Sequence, residues 1–412
     1  MEHHRSYGVS SSSSHHLQTG SRSVSSQRSI GSVPSLNSQS QHHHEIQPST
    51  TTYHRCLTTL KGHTSSSSSY TSCLALSGKL LYTGSSDREI RSLNRSVSFS
   101  DDSSDPEICI TNIALSGKGA VKSIVVQSDR LFSAHQDHKI RVWKIISNNK
   151  TDQQEYTHVA TLPTLGDRAS KILIPKNHVQ IRRHKKCTWV HHVDTVSALA
   201  LSKDETLLYS VSWDRTVKIW RTRDFSCLES VTNAHDDAIN AVAVSNDGYV
   251  YTGSADRKIK VWKKGEGEKK HTLVDTLEKH DSGVNALALS NDGCVLYSGA
   301  SDKSILVWER DDEEEDGKMG LVGALRGHSM SILCLAVVWD LVCSGSADRT
   351  IRIWRGNERE YSCLAVLEGH RGAIKCITAA TDRCDSSEAS FLVYSGSLDC
   401  DIKMWQVVVP VS

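Results

Sequence analysis

No Cys-x-x-C pair occurs among the twelve cysteines of this 412-residue chain, which removes the usual signature of a zinc site. Neither charge is in excess: Lys and Arg number 48 and Asp and Glu 47, for a net charge of +1. A protein that holds nucleic acid by bulk electrostatics needs a basic surplus, so direct nucleic-acid binding is not expected. No apolar run approaches the ~20 residues that cross a bilayer. The opening MEHHRSYGVSSSSSHH also lacks the apolar segment of a secretory signal. The expected setting is therefore the cytoplasm or nucleus, away from membranes. The motifs of common chemistry are missing too: there is no phosphate loop, no Gly-x-Ser-x-Gly elbow and no metal-ligand spacing. No catalytic residue, metal or cofactor is assigned, and no small-molecule substrate is expected.

What the chain does contain is one phrase, repeated. Residues 249–262 read YVYTGSADRKIKVW: a run alternating apolar and polar residues, a tight turn, and a second run ending on tryptophan. Period-two alternation on both sides of a turn marks a half-buried hairpin. The phrase returns at 80–93, 208–220, 295–308, 341–354 and 392–405, and more loosely as RLFSAHQDHKIRVW at 130–143. From Asp214 onward the turn aspartates stand 42 to 51 residues apart. Upstream of most hairpins is a histidine, often after glycine: His63, His192, His235, His280, His328 and His370. A fixed period of this size signals a repeat architecture.

The Gly-His start and the aspartate-to-tryptophan hairpin resemble the WD40 repeat, over about residues 55–409. The serine-rich leader and the insertion before the third repeat make the chain most similar, within that family, to plant WD-repeat proteins of the jingubang type. The resemblance implies an all-β fold, a seven-bladed propeller whose turn aspartates are Asp87, Asp137, Asp214, Asp256, Asp302, Asp348 and Asp399. It also implies a buried polar relay in each blade, in which the Trp262 indole bonds Thr252 or Ser254, the hydroxyl reaches His235, and Asp256 holds His235. The same roles fall to Trp143, Trp220, Trp308, Trp354 and Trp405 with their own histidines and aspartates. A histidine, an aspartate and a hydroxyl together also suggest a hydrolase triad. Recurrence in blade after blade argues against that reading, because an enzyme has one active site. Two blades depart from the pattern: Leu93 replaces tryptophan in the first, and Gly117 replaces histidine in the second.

Residues 1–54 are serine-rich with histidine clusters and few large apolar side chains, so a disordered leader is expected. The His42–His44 triplet reads as solvated low-complexity sequence rather than a chelator. Arginines three residues before Ser25 and Ser98 match a kinase spacing that arises easily by chance in such sequence. Residues 56–60, CLTTL, look like the strand that precedes each Gly-His. They are expected to complete the last blade and so close the ring, with 410–412 as a tail. Cysteines share repeat positions with alanine and serine (Cys73, Cys334 and Cys376 against Ala198, Ala241 and Ser123), which marks small core residues. Two readings of the 163–189 insertion stay open, with HVATL (158–162) or CTWV (187–190) as the outermost strand. Its IRRHKK segment is basic, and DDEEED (311–316) is expected on the face opposite the aspartate turns.

A basic or potentially basic residue follows six of the seven turn aspartates: Arg88, His138, Arg215, Arg257, Lys303 and Arg349. The expectation is a circle of positive charge at the channel mouth, able to dock an acidic or phosphorylated peptide of another protein. The opposing reading is that these side chains are merely solvated. Trp213, beside Asp214, joins Arg215 and Arg257 as the best contact cluster, since tryptophan and arginine dominate interface hot spots. The function expected is a non-catalytic scaffold or regulatory adaptor. The alternative is a substrate receptor of a cullin-type ubiquitin ligase, whose propellers carry an acid after the tryptophan and an arginine two residues on. Trp220-Arg221-Thr222-Arg223 has only the arginine and Trp308-Glu309-Arg310-Asp311 only the acid.

Overall fold

A computed structural model describes residues 33–37, 52–61, 69–94, 110–113, 118–148, 153–172, 178–182, 185–310, 318–357, 360–384 and 387–411. Seven four-stranded antiparallel sheets form the blades of a β-propeller. In blade four the strands are Ile239–Val244, Val250–Ser254, Ile259–Lys264 and His271–Leu277, from the channel outward. Alternation in the sequence becomes burial: Val250, Thr252 and Ser254 face one way and Tyr251 and Gly253 the other, and all are covered by neighbouring blades. The Asn246-Asp247-Gly248 turn joins the first two strands, and Gly248 takes the positive φ of 86° that the turn requires. Gly253 is needed for a different reason. A Cβ there would stand 2.7 Å from Cγ1 of Val284 in the next blade.

The core lies between blades rather than within them. Val211 and Val217 of blade three pack with Ile239, Val250 and Trp262 of blade four, and each later junction repeats the arrangement. Each such aliphatic side chain contributes roughly 1.5–3 kcal/mol when fully buried. Cys73, Cys334 and Cys376 are among the buried side chains, each on the innermost strand of its blade.

The ring closes with a strand from the front of the chain. Tyr53–Lys61 pairs antiparallel with Asp401–Pro410, from Tyr53 opposite Val408 to Lys61 opposite Asp401, and completes blade seven. That strand begins two residues inside the stretch expected to be disordered. A second departure lies further upstream, where Val33 to Asn37 are seated against the outer strands of blades five and six. These five residues correct the expectation of a wholly disordered leader; two apolar side chains and the backbone hold them in place. His42–His44, Ser25 and Ser98 lie outside the described residues.

The insertion is also settled. Gln153–Leu162 is the outermost strand of blade two, so HVATL and not CTWV holds that place. Leu162 pairs with Ile140 beside the Asp137 turn, so the insertion leaves from the face that carries the aspartate turns. It contains a helix, Leu165–Ile172, and a hairpin of His178–Arg182 with Lys185–Thr188. Thr164 caps the helix by accepting the Asp167 amide at 3.1 Å, and Asp167 accepts the amide of Cys227 on the outer strand of blade three. Among the described residues no helix is long and apolar enough to cross a membrane.

Candidate functional site

The polar side chains inside the blades form directed chains of hydrogen bonds. In blade four the Trp262 indole N–H donates to Thr252 Oγ1 (3.0 Å), and Thr252 meets His235 Nε2 (2.8 Å). His235 Nδ1 in turn meets Asp256 Oδ2 (2.8 Å). Of the two hydroxyls considered, Thr252 is the relay; Ser254 instead accepts the Asp256 amide and donates to the Asp237 carbonyl. Asp256 also accepts the amides of Asp236 and Lys258, so one carboxylate ties two loops together. The same relay runs Trp220–Ser210–His192–Asp214, Trp308–Ser298–His280–Asp302, Trp354–Ser344–His328–Asp348 and Trp405–Ser395–His370–Asp399.

Every member of these chains is satisfied, which rigidifies a blade at low local dielectric. Burial pushes the His192, His328 and His370 imidazoles below their ordinary range despite their aspartates. Burial alone would raise the Asp256 carboxyl, but its bonds to His235 and backbone amides hold it at about 2. A neutral histidine and an ionised aspartate suit a static hydrogen-bond chain.

Blade two solves the same problem with different residues. Gly117, where histidine was expected, lies outside the described residues, yet the relay has a histidine. His135, from the hairpin itself, meets Ser133 Oγ at 2.9 Å, and Trp143 donates to the same oxygen at 3.0 Å. His135 Nδ1 then reaches the Gly119 carbonyl at 3.1 Å instead of an aspartate. Asp137 is consequently released from the relay and forms a two-point ion pair with Arg141. The expectation that this blade lacks its histidine is thereby corrected. The clue in the sequence is the histidine in place of the usual serine two residues before the turn aspartate. In blade one, His63 lies outside the described residues, and Leu93 is buried at the tryptophan position. Asp87 there accepts the Glu89 amide at 3.0 Å.

The turn aspartates fix what the face presents. In all seven turns the next residue has a positive φ, from 66° at His138 to 78° at Arg88. Arg88, His138, Arg215, Arg257, Lys303 and Arg349 are all exposed there, and Cys400 takes the seventh place. The face is not uniformly positive, however. Asp236, Asp237 and Asp281 lie exposed in the loops between them, and Lys258 pairs with Glu278 at 2.8 Å. The expected circle is therefore an arc. It runs from Arg349 through Arg371 to Arg88 and His138, over blades six, seven, one and two.

Inside this arc the channel opens as a funnel of about 190 Å³. The second residue of each innermost strand lines it: Ser72, Lys122, Ser197, Asn240, Asn285, Leu333 and Lys375. Trp213 stands at its lip, 41% exposed, with Lys122 Nζ 5.7 Å from its ring centre. Burial and the neighbouring Lys375 push the Lys122 ammonium below its ordinary range. Among the described residues, Met330 and Leu398 are further large apolar side chains exposed in loops of this face. Neither lysine, nor Met330 or Leu398, was singled out from sequence. The lysines share a strand position with serine, asparagine and leucine, so no residue pattern marks them. The DDEEED segment lies outside the described residues; the described residues on either side, Arg310 and Met319, pair at the end of blade five away from the Asp302 turn.

The model of the WD domain, G-beta repeat matches residues 54–92, 184–221, 225–263, 271–309, 319–355 and 361–406, more than half of the chain. Ribosome biogenesis protein YTM1 of Eremothecium gossypii is 29% identical over 39% of this chain and 37% of its own length. Small ribosomal subunit protein RACK1 of Drosophila melanogaster is 34% identical over 20% of this chain and 26% of its own. Elongator complex protein 2 of Rattus norvegicus is 30% identical over 21% of this chain and 13% of its own. The chain thus matches well under half the length of each of these relatives. Seven repeated hairpins, relays that tie tryptophan to histidine and a ring closed by its own first strand meet in one conclusion: this chain belongs to the WD40 repeat family.

Proposed function

We propose that this protein is a non-catalytic interaction scaffold that receives an acidic or phosphorylated segment of a partner protein on the aspartate-turn face. The observation that carries the reading is Trp213, half-exposed at the lip of a funnel that also holds Lys122 and Lys375. A flat aromatic beside two convergent cations suits an apolar anchor followed by carboxylates or a phosphate. Arg349, Arg371 and Arg88 supply the surrounding field that favours encounter. The relays explain the other polar clusters without chemistry: each is internally satisfied and repeated. The names of the relatives refer to ribosome biogenesis, a ribosomal subunit and a complex, which suits a scaffold working within an assembly. The serine-rich leader and the insertion ahead of blade three support a finer reading, a regulatory adaptor in plant signalling or transcriptional regulation, nuclear or cytoplasmic.

The test is co-precipitation from native extract with three variants. Arg88→Glu, Arg349→Glu and Arg371→Glu combined should lose partners, with a stability cost of no more than about 0.5 kcal/mol each. Trp213→Ala should weaken the same association by about 2 kcal/mol or more. Neutralising residues 311–316 should leave it intact. Undiminished partners in the first two, with loss in the third, would move the working surface to the opposite face.

A further inference from the structure

The segment Val33–Asn37 is bound to the ring as a peptide ligand would be. It runs parallel to the outer strand of blade five, Met319–Leu325, and crosses to that of blade six, Glu360–Leu367. The Ala324 amide donates to the Pro34 carbonyl and the Leu36 amide to the Ala324 carbonyl, both at 2.9 Å. The Tyr361 amide donates to the Leu36 carbonyl at 3.0 Å. This is strand addition to a sheet edge, with backbone bonds for affinity and side-chain pockets for selectivity. Proline suits the edge, because it contributes a carbonyl here and needs no donor.

The side chains read a pattern. Val33 is buried in the cluster that contains Tyr249, Met319 and Ala324, at the junction of blades four and five. Leu36 packs one junction further on, against the cluster of Tyr297, Val322 and Tyr361. The Asn37 amide is bonded at both ends: its Nδ2 donates to the Arg326 carbonyl and its Oδ1 accepts the Arg326 amide (3.2 Å). The Arg326 guanidinium also donates to the Val33 carbonyl at 3.0 Å. An aspartate at position 37 would set a carboxylate against the Arg326 carbonyl, so the pocket selects an amide. Gly323 is the floor of the groove. A Cβ there would meet Leu36 Cγ at 2.5 Å, Leu36 Cδ2 at 2.6 Å and the Pro34 carbonyl at 3.0 Å, all atoms of the leader and none of the ring. Beside Leu36 the same junction continues as a cleft of about 650 Å³ that shares Tyr297, Val322 and Tyr361 and has the exposed Trp339 on its wall. None of Val33–Asn37 lines this cleft.

We infer that this edge groove is a second protein-binding site, for an extended partner peptide of the pattern Val-Pro-x-Leu-Asn, and that the leader is its tethered competitor. Attachment to the chain presents the leader at a high effective concentration, as linked modules do. A partner peptide that also fills the adjoining cleft gains contacts that Val33–Asn37 does not make and displaces it.

The experiment uses the full chain and a fluorescein-labelled peptide of residues 29–41, followed by anisotropy. Full-length Val33→Asp/Leu36→Asp protein, whose leader no longer fits, should bind the peptide saturably. The native chain should bind at least about tenfold more weakly, because its own segment competes. Adding Gly323→Ala to the double variant should weaken binding about tenfold or more by excluding Leu36. Urea unfolding and size-exclusion chromatography accompany each variant. The proposal is overturned if the folded double variant fails to bind, or if Gly323→Ala leaves binding unchanged. It is equally overturned if the double variant loses cooperative unfolding, since the segment is then an integral strand of the ring. A native dimer that the double variant dissolves would assign the groove to a second copy of this chain and overturn the intramolecular competition.

Discussion

Replacing His135 by alanine should destabilise the ring more than replacing Asp137, although the aspartate is the residue that the repeat has in common. His135 is fully buried and is the only relay member of blade two bonded to both Ser133 Oγ and the Gly119 carbonyl among the described residues. Its removal leaves the buried Ser133 hydroxyl with only the Trp143 indole and a long 3.5 Å bond to the Arg141 carbonyl, opens a void in the blade, and costs about 2–4 kcal/mol. Asp137 contributes through its ion pair with Arg141, outside the relay, so Asp137→Ala should cost about 1 kcal/mol. In blade four the roles are reversed. Asp256→Ala strands His235 Nδ1 and the amides of Asp236 and Lys258, at about 1–3 kcal/mol. Urea unfolding followed by far-ultraviolet circular dichroism, with the slope checked for constancy, ranks the three. Equal losses for His135→Ala and Asp137→Ala would refute the substitution of one relay for another.

Other outcomes follow from the same geometry. Deleting residues 1–50 should lower the melting temperature by only a few degrees, because it removes Val33 and Leu36 but no ring strand. Deleting 1–61 should lower it sharply, because blade seven loses the strand that closes the ring; similar behaviour of the two truncations would contradict closure by Tyr53–Lys61. Stability should fall between pH 6.5 and 4. His135, held at about 4 by burial and by Arg141, and His192, His328 and His370, also lowered by burial, stay neutral in the ring at pH values where the unfolded chain takes up protons. Their contribution is complete above about pH 6.5 and is lost as pH falls; a urea midpoint that rises over this interval on acidification would contradict the assignment. Asp256, held at about 2, keeps its contribution until lower pH still.

Much of this was legible in the chain because the repeat states it many times. Seven similar hairpins marked a repeat architecture, and their resemblance to the WD40 repeat implied the ring. The Trp–hydroxyl–histidine–aspartate order came from the resemblance to the WD40 repeat, and the need to pair each buried polar group explains why the blades keep it. What escaped was local or collective. His135 was read past because its position carries a serine in five of the six other copies (Ala300 is the sixth), and function moved between positions while the relay stayed. Val33–Asn37 escaped because composition averages over the leader, whereas two apolar side chains and three backbone bonds suffice once an edge receives them. The arc of charge was mistaken for a circle because Asp236, Asp237 and Asp281 stand in loops that meet the arginine turns only after folding. Lys122 and Lys375 lie 253 positions apart in the chain and share one funnel.

Site-specific photo-crosslinking addresses the binding face most directly. p-Benzoylphenylalanine is placed at Trp213, on the funnel lip, and in a second protein at Leu273, exposed on the outer strand of blade four. Both are irradiated in native extract and the adducts identified by mass spectrometry, with and without added salt. Adducts at position 213 that bear acidic or phosphorylated segments, that weaken as salt is raised and that are absent at 273 are the predicted result. Abundant adducts at 273 with none at 213 would contradict the assignment of the aspartate-turn face as the working surface.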